Sequence, residues 1–145
     1  MSRNGFSLLC LFASVWLHGQ DLQNTGPNEL KVISKPIEAL MRDVISYDCD
    51  LRKTDQENAD YFVSGLKKTL KMTDAEYDFL RSESLACKNE DQAAWSEFAK
   101  KGKGDLSPSQ AASAKRLRFE RKNRHIAQIL KFLRPEVILA IERDY

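Results

Sequence analysis

Glycine and proline are scarce in this sequence, 6 and 4 of 145 residues. A β-sandwich or barrel needs a turn signal every few residues, so this shortage argues against both. Histidine is rarer still, with only His18 and His125, which leaves little room for an imidazole-based active site. Charge of one sign is also missing: 23 basic against 21 acidic side chains give a formal net of +2. That balance, with 42% hydrophobic residues, excludes a polyelectrolyte tail or a disordered chain and weakens any overall electrostatic case for nucleic acid.

A long uncharged run occurs once, at residues 6–17, preceded by Arg3 and followed by the polar His18-Gly19-Gln20. Twelve helical residues reach about 18 Å, short of the ~30 Å hydrocarbon core of a bilayer. A basic start and a short apolar run followed by polar chain is the pattern of a secretory signal peptide, with cleavage expected near Gly19/Gln20; a buried core helix is the alternative. Cys10 is not expected to be lipidated, because Leu9, not a small residue, immediately precedes it and the apolar run continues beyond it. A chain starting after residue 20 retains about 125 residues, enough for a core of its own.

Three cysteines are present, and Cys49 and Cys87 lie beyond the candidate signal. In an oxidising compartment such a pair is a disulfide candidate, closing a loop of about 38 residues and contributing roughly 3–4 kcal/mol. Two buried free thiols are the other reading.

Helix-start signals are plentiful. Thr54-Asp55-Gln56-Glu57 and Thr73-Asp74-Ala75-Glu76 read as T-x-x-E capping boxes, and Ser107-Pro108-Ser109-Gln110 as S-P-x-Q with proline at the first helical position. Apolar residues at three- and four-residue spacing follow each. Ala59, Phe62, Val63, Leu66 and Leu70 form one stripe. Tyr77, Leu80, Ser84, Cys87, Ala94 or Trp95, and Phe98 form a second, in a helix expected to run from Asp74 to about Lys101 and to stop at Gly102-Lys103-Gly104. Ala112, Phe119, Ile126, Leu130 and Leu133 form a third, with Arg116 and Asn123 as polar interruptions.

Upstream, Pro36 opens a helix with Ile37, Leu40, Met41, Val44 and Ile45 on its apolar face. Downstream, Arg134-Pro135-Glu136 breaks the chain before a short helix bearing Val137, Ile138 and Ile141. Residues 21–34 are polar and expected to be extended. The result is an all-α fold, an antiparallel bundle of about five helices with a long hairpin over residues 35–145.

Charge is unevenly distributed. Residues 21–104 hold 13 basic and 16 acidic side chains, whereas residues 105–145 hold 9 and 5. Residues 115–134 concentrate eight Lys or Arg against the single acid Glu120. Residues 115–124 carry only a thin apolar seam, so this half is expected to project from the bundle while residues 126–133 pack into it. Lys115, Arg118, Arg121, Lys122 and Arg124 are then candidates for a surface that meets an anionic partner, such as a protein client or a charged interface. Neutralisation by acidic helices of the same chain is the competing reading.

Phe79 and Trp95 are candidate apolar contacts, while core packing explains most other aromatics. A nucleic-acid role is disfavoured by the lack of a recognition-helix arrangement and of aromatics interleaved with the basic stretch. No metal is expected, because no H-x-x-x-H, C-x-x-C or EF-hand spacing occurs. No cofactor motif or catalytic triad setting occurs either. His125 is expected to be a partly exposed, hydrogen-bonded histidine.

Leu70-Lys71-Met72-Thr73-Asp74-Ala75-Glu76-Tyr77 and Leu106-Ser107-Pro108-Ser109-Gln110 resemble two copies of an L-T-x-x-Q element found in exported, all-helical Spy/CpxP-type bacterial proteins. The second copy matches as Leu106, Ser107 in place of Thr, and Gln110; the first has Met72, Thr73 and Glu76. The order of signal sequence, helix, long capped helix, Gly-rich turn and basic capped helix is similar too. The closing Phe132-Leu133-Arg134-Pro135-Glu136 and its short apolar helix resemble the tails of secreted helical proteins of that type. The resemblance covers about residues 55–145. It implies a periplasmic location and, as in some members, binding of unfolded protein on a basic surface; the single short hairpin arm departs from that pattern.

From the residues and the resemblance together, the expected function is that of an exported, non-enzymatic helical interaction protein, chaperone-like or associated with envelope stress. A small secreted hydrolase using paired carboxylates and a structural subunit without its own ligand are the alternatives.

Overall fold

The computed structural model describes residues 31–49, 56–102 and 105–145. Among these there are five helices and no strand: α1 (Lys35–Cys49), α2 (Gln56–Leu70), α3 (Asp74–Lys101), α4 (Pro108–Phe132) and α5 (Pro135–Asp144). The candidate signal run and the Thr54 capping box lie outside the described residues.

The capping chemistry sets the boundaries. Thr73 and Ser107 each form a complete box, accepting from the amides of Glu76 and Gln110 while those side chains accept from the cap amides. The end of α2 has no glycine, yet the chain still reverses there. Lys71 takes a left-handed φ of 55°, and the Met72 and Lys71 amides donate to the carbonyls of Lys67 and Lys68 at 2.9 and 3.4 Å. This is a Schellman closure built on a lysine, at a conformational cost of about 1–2 kcal/mol.

The core lies at one end of the long helices. Ile37, Leu40, Met41 and Val44 of α1 meet Leu66 and Leu70 of α2, Tyr77, Leu80 and Cys87 of α3, Ile126 and Ile129 of α4, and Val137 and Ile141 of α5. The buried Ser84 hydroxyl donates to the Leu80 carbonyl at 2.7 Å, within its own helix. Burial stops at Cys87 on α3 and starts at Lys122 on α4. Each helix extends about 14 residues beyond those points, roughly 21 Å at 1.5 Å per residue. These extensions form a two-helix arm that ends before Lys122; residues 122–124, expected to project with 115–121, include the buried Lys122, paired with Glu38 of α1, and Asn123, tied to residues 31–33.

The seam of α4 differs from the expected stripe. Its buried positions are Lys122, His125, Ile126 and Ile129, with Leu133 buried just beyond. Ala112 is exposed, and Phe119 and Leu130 are only half-buried. The helix is therefore turned so that a lysine and a histidine face inward. Residues 31–34 are non-helical, as expected. They are tied to α4 by Asn123, whose side chain accepts from the Ile33 amide at 3.1 Å and donates to the Lys31 carbonyl at 3.2 Å.

The expected Cys49–Cys87 bridge is not shown. Cys87 is a buried free thiol, and the side chain of Cys49 lies outside the described residues. Burial, and secondarily the Asp91 carboxylate, push the Cys87 thiol from 9.0 up to about 11. Two units leave roughly 100-fold less thiolate at pH 8. Alkylation followed by peptide mapping should find Cys87 slower than an unfolded control by at least that factor; equal rates would contradict its burial.

Candidate functional site

On α3, Glu83, Cys87, Glu90 and Asp91 recur at spacings of three and four, which puts them on one helical face. On α4, Arg118, Arg121, Lys122 and His125 do the same, so antiparallel pairing sets an acidic row against a basic one. Asp91 sits between two guanidinium groups: Arg121 Nε donates to Oδ1 at 2.9 Å and Arg118 Nε to Oδ2 at 3.3 Å. Arg124 pairs with Glu90. Lys122 reaches a third helix, its Nζ 2.5 Å from Glu38 Oε1 of α1.

His125 is buried rather than partly exposed. Its Nδ1 is 2.6 Å from Glu83 Oε2, and its Nε2 is 3.3 Å from Glu90 Oε1. Four partners were missed, Glu38, Glu83, Glu90 and Asp91, and two of them, Glu83 and Asp91, have a signal in the sequence. They share the 3–4 spacing of Cys87, but as acidic residues they read as solvent-facing until α4 is placed beside them.

Of the five residues expected to form an anionic-partner surface, four are therefore directed at carboxylates of their own chain. Arg118, Arg121 and Arg124 bind α3, and Lys122 binds α1. Only Lys115, exposed on the arm, remains of the set. The competing reading of internal neutralisation accounts for the other four.

The two aromatic candidates are separated. Phe79 stacks on Phe132 with centroids 4.0 Å apart and planes at 13°, at the bundle end of α3. Trp95 stands about 24 Å further along the helix, on the arm, with half its surface exposed. Leu106 and Leu117 are exposed on the same arm, and sequence reasoning had singled out neither as a contact.

Among the described residues no cluster of three or more His, Cys, Asp or Glu is placed to hold a metal ion. None of the described helices is long and apolar enough to cross a membrane. No protein-family model matches the sequence, and no curated protein or solved structure matches it either.

Proposed function

We propose that this chain is an exported, non-enzymatic helical interaction protein that engages another polypeptide through the apolar side of its α3–α4 arm. One observation carries the reading. Among the described residues, the arm continues past the core and exposes Trp95, Leu106 and Leu117 at 50%, 38% and 44%. Large apolar side chains exposed on one element suit a protein contact better than solvent. The basic residues of α4 act as the arm's fastening, with Lys115 left to favour acidic segments of a client. Export is supported by Arg3 and the uncharged run at residues 6–17. A chain expressed with residues 1–20 in place should be recovered from the bacterial periplasm beginning near Gln20; retention in the cytoplasm contradicts that half of the proposal.

Two tryptophans are present, Trp16 and Trp95, so a chain beginning at Asp21 has Trp95 as its sole indole reporter. Titration with a denatured, tryptophan-free polypeptide should shift its emission to shorter wavelength and saturate. An emission spectrum that does not change over a full titration, with the polypeptide still soluble, rejects the arm as the contact.

A further inference from the structure

A second feature lies apart from the arm, where α1, α2 and the end of α5 border an open cleft of about 750 Å³. Its walls carry four aromatic rings, Tyr47, Tyr61, Phe62 and Tyr145, and two carboxylates, Asp43 and Asp144; among the described residues no lysine or arginine lines it.

The rings are organised. Tyr47 of α1 stacks on Phe62 of α2 with centroids 3.5 Å apart and planes at 8°, which joins the two walls. Tyr61 is 82% exposed at the rim. Tyr145 completes the third side. Burial first, then the charge of Asp43 and its hydrogen bond with the phenol, push that hydroxyl well above its ordinary range, so Tyr145 offers a neutral ring. Asp144 is held by Arg143 through two contacts of 2.7 and 2.9 Å, which leaves Asp43 as the principal negative charge of the cleft.

Gly65 provides an independent observation. It sits inside α2, where glycine costs about 1 kcal/mol relative to alanine. An added Cβ would meet nothing within 4 Å, so no close packing requires its absence. Gly65 lines the cleft, and the missing side chain keeps the space above it open.

Electron-rich ring faces beside a carboxylate attract a positive charge and repel an anion. We propose that this cleft binds an aliphatic ammonium group, seated against Tyr61 and the Tyr47–Phe62 stack and neutralised by Asp43. A free quaternary or primary amine and a lysine side chain share this chemistry. The proposal is independent of the arm, so either reading can fail alone.

The test is an NMR titration of the full chain at fixed ionic strength with three probes: tetramethylammonium, N-acetyl-lysine methylamide and the neutral isostere tert-butanol. Saturable shifts at Tyr47, Phe62 and Gly65 are expected with at least one cation and not with tert-butanol. Tighter binding of tetramethylammonium assigns a free quaternary ligand, and tighter binding of the lysine amide assigns a peptide side chain. Gly65→Phe should fill the cleft and abolish the shifts. Tyr61→Ala, at a rim position too exposed to affect folding, should weaken binding roughly fivefold. Equal response to tert-butanol, no response to either cation, or unchanged binding in both variants overturns the proposal.

Discussion

Replacing Glu76 with alanine lowers the stability of the fold by about 3 kcal/mol, because two separate jobs end together. Glu76 is the closing residue of the α3 capping box, accepting from the Thr73 amide at 2.8 Å. The same carboxylate accepts from the Arg134 amide at 3.1 Å and from its Nε at 2.9 Å. Arg134 also donates from Nη2 to the Lys71 carbonyl at 2.8 Å. One buried carboxylate thus ties the α2–α3 turn to the α4–α5 turn.

The Arg134 guanidinium, against the opposing effect of burial, holds the Glu76 carboxyl down from 4.5 to about 2, with the Thr73 and Arg134 amides assisting. As pH falls, the unfolded chain takes up this proton first. The contribution is therefore complete above about pH 5, shrinks through 4.5 and is lost by about pH 2. Urea denaturation between pH 2 and 7 should show that decline in the parent and a shallower one in Glu76→Gln. Parallel curves would mean that Glu76 is not the linking group.

Reversing charge at Lys122 should be the second large effect. Lys122 is buried, and its Nζ lies 2.5 Å from Glu38 Oε1 and 5.5 Å from the Phe119 ring centre. Lys122→Glu sets two carboxylates against each other at a site nearly closed to water, and should cost about 3–5 kcal/mol. Adding Glu38→Lys restores the pairing in the opposite sense and should recover at least half of the loss. Charge reversal on a solvated binding helix would cost under 1 kcal/mol, and the second substitution would then recover nothing.

These two sites also mark where sequence reading stops. Helix starts were legible because a capping box is local: Thr73 with Glu76, and Ser107 with Gln110, need only three residues of context. The thin apolar seam marked the outer part of α4 but placed its inner limit too far along, since Lys122 and Asn123 pack against α1 and the segment before it. The rotation of α4 was not legible. Lys122 and His125 count as polar in any periodicity, yet they face inward because Glu38 and Glu83 meet them across 84 and 42 residues of chain. Nothing near Arg134 indicates that its partner is the capping residue of another helix. The reversal at Lys71 lacks the glycine that usually announces it. For Lys122, His125 and Arg134 the deciding partner is distant in sequence, and an acidic or basic residue reads as surface until that partner is placed.

The same distance separates the sequence-based and structural views of the basic helix. Read alone, it is a cluster of positive charge available to a partner. Beside α3 and α1, most of that charge is spent on holding the arm, and the exposed apolar residues become the more distinctive feature.

The most direct test compares two double variants for affinity toward one denatured client and for stability in urea. The account predicts that Leu106→Ser/Leu117→Ser loses affinity by roughly tenfold or more while its stability stays within about 0.5 kcal/mol of the parent. It predicts the opposite for Arg118→Gln/Arg121→Gln, which should lose stability and keep its affinity. An arginine pair whose removal abolishes client binding while the fold is unchanged would contradict it.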